Sequence, residues 1–383
     1  MSTLAPPPIP SSWYSSIHPP QHGHSSVILI SAPMVGCSDL PYRKLYRTLN
    51  PNVHIVIFTE MFLSDLFSTS PSYRTQCFGN NPPPDPNLVV QFASNDPNTF
   101  LQASLHVQSL GFGGVDLNLG CPQKRAREGN YGSYLTEDWD LCRDILRNTV
   151  EDERIEIPVC AKIRIQEPRE DKTSEERTVE FVLMLSEVGV SMITIHGRLR
   201  GIDTDRRFGA ADLSVVRSCV SAVKGKGLNT KIVTNGNVRG VRDVGENLGF
   251  TGADGIMVGE ELLRKPDLFG RFMEGRGEGG EEERKLRIVK AYLKILENLE
   301  VEEGMRLEDG AKSGKNGGMV RTVVEEGAEF ERMSTWWTNL EVVKSHFRWI
   351  LADRGERGSK KNFGKARKVG DVINGVKKRF GIA

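Results

Sequence analysis

Val115-Asp116-Leu117-Asn118-Leu119-Gly120-Cys121-Pro122-Gln123 begins as a strand and ends as a turn. Gly113-Gly114 breaks the chain ahead of it, and Val115, Leu117 and Leu119 then alternate with Asp116 and Asn118, the period-two pattern of a strand. Gly120 accepts backbone angles that other residues avoid. Pro122 lacks an N–H and pushes Cys121 towards extended geometry. The stretch therefore predicts a thiol presented just past the C-terminal end of a strand. A lone cysteine is ordinarily a small buried hydrophobe, and that reading stands beside the one of a reactive thiol.

Working outward, the same unit repeats. Upstream strands are predicted at Val27 to Ile30, His54 to Thr59 and Leu88 to Phe92. Downstream strands are predicted at Val159 to Ile165, Met192 to His196, Lys231 to Asn235 and Gly255 to Val258. Helical segments fall between them: one capped by Ser38 or Asp39 with Pro41 in its first turn, then Pro97 to Leu110, Trp139 to Val150, Ser174 to Val188, Asp212 to Lys224, Val241 to Leu248 and Glu260 to Phe272. Eight strands, each followed by a helix or a helix-length gap, predict an α/β fold of the (β/α)8 TIM-barrel kind, whose usual size is about 250 residues. A doubly wound sheet is the alternative, weakened because the first βα turn has no G-x-G-x-x-G. Barrel active sites lie at the C-terminal strand ends. Polar residues gather there in this sequence.

The 383 residues suggest a barrel plus an appendage. Residues 1–26, rich in Pro and Ser, read as a disordered leader without the marks of a secretory signal. Residues 27–273 form the barrel. Residues 274–383 read as a small helical domain. Its amphipathic helices are expected at Glu282 to Leu299 and Trp336 to Leu351, with a Gly-, Lys- and Glu-rich insertion over 302–329 and a basic tail from Arg354 to Arg379. The net charge of +1 implies nothing about nucleic acid unless charge clusters locally. The six cysteines are spread without a C-x-x-C pair, which argues against a zinc site or a disulfide framework and fits a reducing compartment. No apolar run approaches the ~18 residues of a membrane span. The expectation is a chain with no membrane and no metal.

Two constellations suit a bound cofactor. Asn235-Gly236-Asn237 after the seventh strand and Gly259-Glu260 after the eighth occupy the loops where such barrels bind phosphate, with backbone N–H groups and a helix N-terminus facing the anion. The plain alternative is two ordinary glycine turns. Ala32-Pro33-Met34 offers an apolar floor, Gln91 an amide, Lys162 a cation and His196 a further donor, a set suited to a flat ring such as a flavin. Taken singly, Lys162 reads as a snorkelling lysine and His196 as a satisfied strand-end histidine. A thiol of ordinary pKa is mostly protonated near neutrality and can act as general acid.

Asp116 to Gln123, followed by Arg125-Ala126-Arg127-Glu128-Gly129-Asn130-Tyr131-Gly132, resembles the active-site segment of the tRNA-dihydrouridine synthases, flavin enzymes that reduce uridine in tRNA. Further matching segments are Ala32-Pro33-Met34-Val35, Thr59-Glu60-Met61, Val90-Gln91-Phe92, Ala161-Lys162-Ile163-Arg164, Ile195-His196-Gly197-Arg198, Asn235-Gly236 and Gly255 to Gly259. The resemblance implies FMN held by Pro33, Met34, Val35, Gln91, Lys162, His196, Asn235, Gly236, Asn237, Gly259 and Glu260. It implies Cys121 as proton donor to uracil C5, Asn118 and Arg198 beside ring and substrate, and NADPH or NADH as reductant. Gly129 to Leu135, Trp139 and Glu260 look like the eukaryotic members acting on D-loop positions 16 and 17, whereas Thr59-Glu60-Met61 looks more bacterial. It implies further that a tRNA uridine is turned out of its stack, with the basic tail holding phosphates. A monomer in the cytoplasm is expected, with the nucleus as a second compartment. The alternatives are an FMN barrel oxidoreductase acting on a small molecule, and a non-catalytic tRNA-binding scaffold.

Overall fold

The computed structural model describes residues 7–21, 24–78, 84–200, 209–277, 280–302, 340–351 and 369–382. Its centre is a closed barrel of eight parallel strands. These are β2 (His24–Ser31), β3 (Ile55–Leu63), β4 (Asp85–Ala93), β5 (Phe112–Leu119), β6 (Val159–Arg164), β7 (Met192–His196), β8 (Lys231–Asn235) and β9 (Gly255–Val258), with β9 pairing back onto β2. The short strands β7, β8 and β9 match the sequence reading residue for residue. Strands β2 to β5 run longer than read, their ends being drawn into the ladder, and β6 stops one residue short of its reading, at Arg164.

Side chains inside the barrel form their own cluster. Ile28, Ile30, Val56, Phe58, Val89, Cys160, Met192, Val233 and Met257 fill it. The opposite strand faces join a second, larger core under the helices. Strand side chains alternate between faces. Gln91, Lys162, Thr194 and Asn235, each two residues beyond an inward-facing neighbour, therefore also point inward, now at the C-terminal mouth.

The helices follow from local signals. Asp39 caps Leu40–Leu49 by accepting from the Tyr42 N–H, with Pro41 in the first turn. Thr173 and Glu176 close a capping box on Ser174–Val188. The predicted helix Glu260 to Phe272 is instead two, Glu260–Arg264 and Leu268–Met273, because Pro266 cannot continue the first. Ser64–Thr69 and Pro71–Phe78 fill the gap after β3.

Residues 1–26 are not wholly the disordered leader expected. Ser11–Trp13 form a short 3-10 helix, and β1 (Ser15–Gln21) pairs antiparallel with β2. Trp13 is fully buried within the interior cluster, and its Nε1 donates to the Pro86 carbonyl at 2.9 Å. Ser191 Oγ at the start of β7 donates to the Pro7 carbonyl at 2.9 Å. Residues 7–14 thus stopper the N-terminal end of the barrel. Composition missed this because one large apolar anchor decides the outcome.

Helix Glu281–Glu302, anticipated at Glu282 to Leu299, presses Ile288, Val289, Tyr292, Leu293 and Leu296 into the same core that underlies the barrel helices. Leu340–Ile350 and Val369–Phe380 complete the described C-terminal part. Trp336, Trp337, the insertion 302–329 after its first residue, and the tail residues from Arg354 to Lys368 lie outside the described residues. Among the described residues, no helix is long and apolar enough to cross a membrane, and no group of His, Cys, Asp and Glu is arranged to hold a metal ion.

Candidate active site

A cleft of about 830 Å³ opens at the C-terminal mouth of the barrel. Of the residues singled out in the sequence, Pro33, Lys162, His196, Arg198, Asn235, Gly236, Asn237, Gly259 and Glu260 line it. Met34, Gln91, Asn118 and Cys121 are not among its lining residues and connect to it through neighbours. Met34 packs by Gly259. Cys121 and Asp116, the latter hydrogen-bonded to Gln91, lie near enough to Lys162 for their charges to interact, and Asn118 is hydrogen-bonded to Gln91 in turn. Val35 is 47% exposed and is not among the lining residues.

The thiol's placement is built from β5. Asn118 Oδ1 accepts the Gly120 N–H at 3.0 Å and the Cys121 N–H at 2.9 Å. The Cys121 carbonyl accepts from the Ser133 N–H and from Ser133 Oγ, both at 3.0 Å. Gly132 has φ +65°, and a Cβ there would lie 2.6 Å from the Cys121 carbonyl oxygen, so only glycine fits both the angle and the contact. The Cys121 backbone is therefore fixed on both sides while its side chain remains half-exposed. The other five cysteines are buried.

Asn118 also reaches inward. Its Nδ2 donates to Gln91 Oε1 at 2.7 Å, and Gln91 Nε2 donates to Asp116 Oδ2 at 2.8 Å. Two of the four bonding positions of Gln91 are thus committed to protein, leaving one N–H and one lone pair for a ligand. Burial pushes the Asp116 carboxyl up to about 7, opposed by the Gln91 hydrogen bond and by Lys162. Its Oδ1 has no partner. Burial brings Lys162 down to about 8, with Arg164 acting in the same direction. At neutral pH the cleft therefore holds a charged lysine.

His196 lies well below its ordinary pKa, through burial first and then the neighbouring Lys162, Arg164 and Arg198. Arg198 Nη1 lies 2.8 Å from His196 Nε2. A guanidinium only donates, so Nε2 accepts and the ring proton sits on Nδ1, assigned from that contact.

The asparagines after β8 brace the backbone. Asn235 Nδ2 donates to the Met257 carbonyl at 2.8 Å across to β9. Asn237 exchanges hydrogen bonds with Ala211 at 2.7 and 2.8 Å and accepts from Arg198 at 3.3 Å. Gly236 (φ +128°) and Asn237 (φ +58°) make a tight left-handed turn. What this loop offers an anion is main-chain N–H. A Cβ on Gly259 would touch Met34 Sδ at 3.3 Å and Ala32 Cβ at 3.4 Å, so the glycine keeps that side of the cleft open. Glu260 pairs with Arg264 at 3.2 Å. The donor set suits a phosphorylated, flat, anionic ring system: a buried cation, two glycine-lined turns and an apolar floor.

The sequence reading gave Glu60 no role. Its Oε1 accepts the Gly36 N–H at 2.8 Å and so ties the floor loop after β2 to β3. Burial, and then Asp39, push its carboxyl up to about 8. A folded-state pKa above the unfolded one favours folding fully below about 4.5, and that contribution is lost as pH rises through about 8. Glu60→Gln keeps an acceptor for Gly36. Thermal melts should show wild-type stability falling between pH 5 and 8, with the variant's profile flatter. Parallel profiles would remove Glu60 as the cause.

A family model described as "Dihydrouridine synthase (Dus)" matches residues 30–336. A tRNA-dihydrouridine(16/17) synthase-like protein from Rattus norvegicus is 35% identical over 248 residues, covering 64% of this chain and 52% of that protein. The tRNA-dihydrouridine(16/17) synthase of Schizosaccharomyces pombe is 34% identical over 242 residues, covering 63% and 56%. A tRNA-dihydrouridine(20a/20b) synthase-like protein from Mus musculus is 31% identical over 251 residues, covering 65% and 71%. All three names carry NAD(P). The chain spans about half the length of the 16/17-type relatives. Among solved structures, morphinone reductase superimposes with a TM-score of 0.43 at 12% identity, covering 74% of this chain and 94% of that one.

Proposed function

This chain belongs to the dihydrouridine synthase family, and from that premise we propose that it reduces the C5=C6 bond of uridine in the D-loop of tRNA, at position 16 or 17. The observation that carries the reading is the half-exposed Cys121, pinned through Asn118 beside a cleft whose donors suit FMN.

FMN, when bound, supplies the hydride for uracil C6, having received it from NADPH or NADH. The chain's residues do the rest. Lys162, charged at neutral pH, stabilises negative charge on the ring system. His196 presents its Nδ1–H, and Gln91 its remaining N–H. Main-chain N–H groups around Gly236 and Gly259 take the phosphate. Pro33 and Met34 form the floor, with Val35 on its outer rim. Cys121 Sγ holds the proton that goes to uracil C5 on the carbanion side of the reduced bond, and the thiolate regains it from solvent. Asn118 fixes the thiol, and Arg198, hydrogen-bonded to His196, borders the substrate. The tRNA presents a flipped uridine. Lys377, Lys378 and Arg379 on Val369–Phe380 continue the basic tail that would meet its phosphates.

The test is the visible absorption spectrum of the purified protein, before and after denaturation. Flavin bands with released FMN are expected. The protein should then form dihydrouridine in uridine-bearing tRNA with NADPH. A colourless protein that cannot be reconstituted with FMN would overturn the reading. Turnover of small-molecule enones that never extends to tRNA would point to the other FMN oxidoreductases.

A further inference from the structure

The helix Leu340–Ile350 lies far along the chain from the cleft, yet it contacts Arg264, which lines the cleft, and Asp39 and Tyr42, which follow the floor loop. At one end, Trp349 lies against the Arg264 guanidinium, 5.1 Å from carbon to ring centroid. Arg264 lines the cleft and pairs with Glu260 at 3.2 Å. One turn earlier, fully buried His346 faces the floor loop. Its Nε2 is 3.6 Å from Asp39 Oδ1, and its Nδ1 shares a 2.6 Å hydrogen bond with the Tyr292 hydroxyl. Its ring lies against Tyr42 at 4.3 Å between centroids. Tyr42 in turn donates through its hydroxyl to the Leu263 carbonyl, in the helix that carries Glu260 and Arg264.

We propose that Leu340–Ile350 is a positioning element of the cofactor cleft, with Trp349 acting through Arg264 and His346 through Asp39 and Tyr42. This rests on the FMN reading above. The physical case is one of pre-organisation. Helix Glu260–Arg264 is only five residues long, ends at Lys265-Pro266, and has no side-chain cap, so by itself it holds Arg264 and the Gly259 turn loosely. An arginine also loses much rotamer freedom when fixed. The indole under the guanidinium removes that freedom before a ligand arrives. Trp349 and His346 touch the cleft only through other residues, so they are positioning residues.

The test measures FMN affinity of the full chain, stripped of flavin, by fluorescence quenching on titration. The variants are Trp349→Leu, Arg264→Gln and the two combined, each checked for an unchanged circular dichroism spectrum. Trp349→Leu should weaken FMN roughly three- to tenfold. Trp349→Phe, which keeps a ring under Arg264, should restore most of it. In the Arg264→Gln background, Trp349→Leu should cost nothing more, because the residue it acts through is gone. A merely structural Trp349 would weaken FMN equally in both backgrounds, and that result would overturn the proposal, as would an unchanged affinity in Trp349→Leu. A wild-type protein that binds no FMN would overturn the functional reading itself, and is told apart by the wild-type titration alone.

Discussion

Cys121→Ala should lower dihydrouridine formation by about 10²- to 10⁴-fold, the usual cost of losing a general acid, while FMN and tRNA still bind. The substitution removes one sulfur from a site whose geometry does not depend on it. The backbone N–H is held by Asn118 and the carbonyl by Ser133, and Gly132 packs against the main chain. The half-exposed side chain leaves little cavity when truncated. Reduction of the flavin by NADPH should proceed at the wild-type rate, since no proton to carbon is needed there. The measurement is nucleoside mass spectrometry of tRNA after incubation, beside stopped-flow bleaching of the flavin. Product at the wild-type level would eliminate the acid role. Loss of both half-reactions would mean that Cys121 shapes the flavin site rather than protonating the substrate.

Trp13→Ala should destabilise the fold by about 3–5 kcal/mol, lowering Tm by on the order of 10 °C. Trp13 is among the largest fully buried side chains, set against the inner faces of several strands. A Cβ on Gly114 would already lie 3.1 Å from its ring, so that glycine makes room for the indole. Truncation opens a cavity at the base of the barrel, removes the 2.9 Å bond to the Pro86 carbonyl, and frees the segment that crosses the strand starts. Trp13→Phe keeps most of the volume and loses the hydrogen bond, at about 1 kcal/mol. Differential scanning calorimetry separates these outcomes. An alanine variant that melts with wild type would mean the stopper contributes nothing.

The barrel was legible because each strand carries its own period-two signal and each helix its own cap. Met192–His196, Lys231–Asn235 and Gly255–Val258 are set by residues within the segment itself. The polar mouth was legible for the same reason, since Lys162 and Asn235 fall in phase with the inward-facing residues two positions earlier. Trp13 was not legible: its partners Pro86 and Gly114 are distant in sequence, and the Pro- and Ser-rich composition around it pointed to disorder. Asp116 carried a signal that went unused, being in phase with Asn118 on the same strand. The links from His346 to Asp39 and from Trp349 to Arg264 join residues far apart in the chain, and nothing local announces them. Asn235 and Asn237 were read as part of a loop offering backbone N–H groups, and the bracing by their side chains, which holds that loop, was not legible. Only packing reveals which polar groups are already satisfied.

The stopper of residues 7–14 also bears on traffic. Among the described residues, the packed interior and the segment over its base leave the cleft at the C-terminal mouth as the way to the barrel's chemistry. With the chemistry proposed here, the nicotinamide and the tRNA must enter and leave through the same opening, so each occupies the doorway in turn. Steady-state kinetics should then give parallel double-reciprocal lines, and a high concentration of either partner should inhibit by blocking the other's entry.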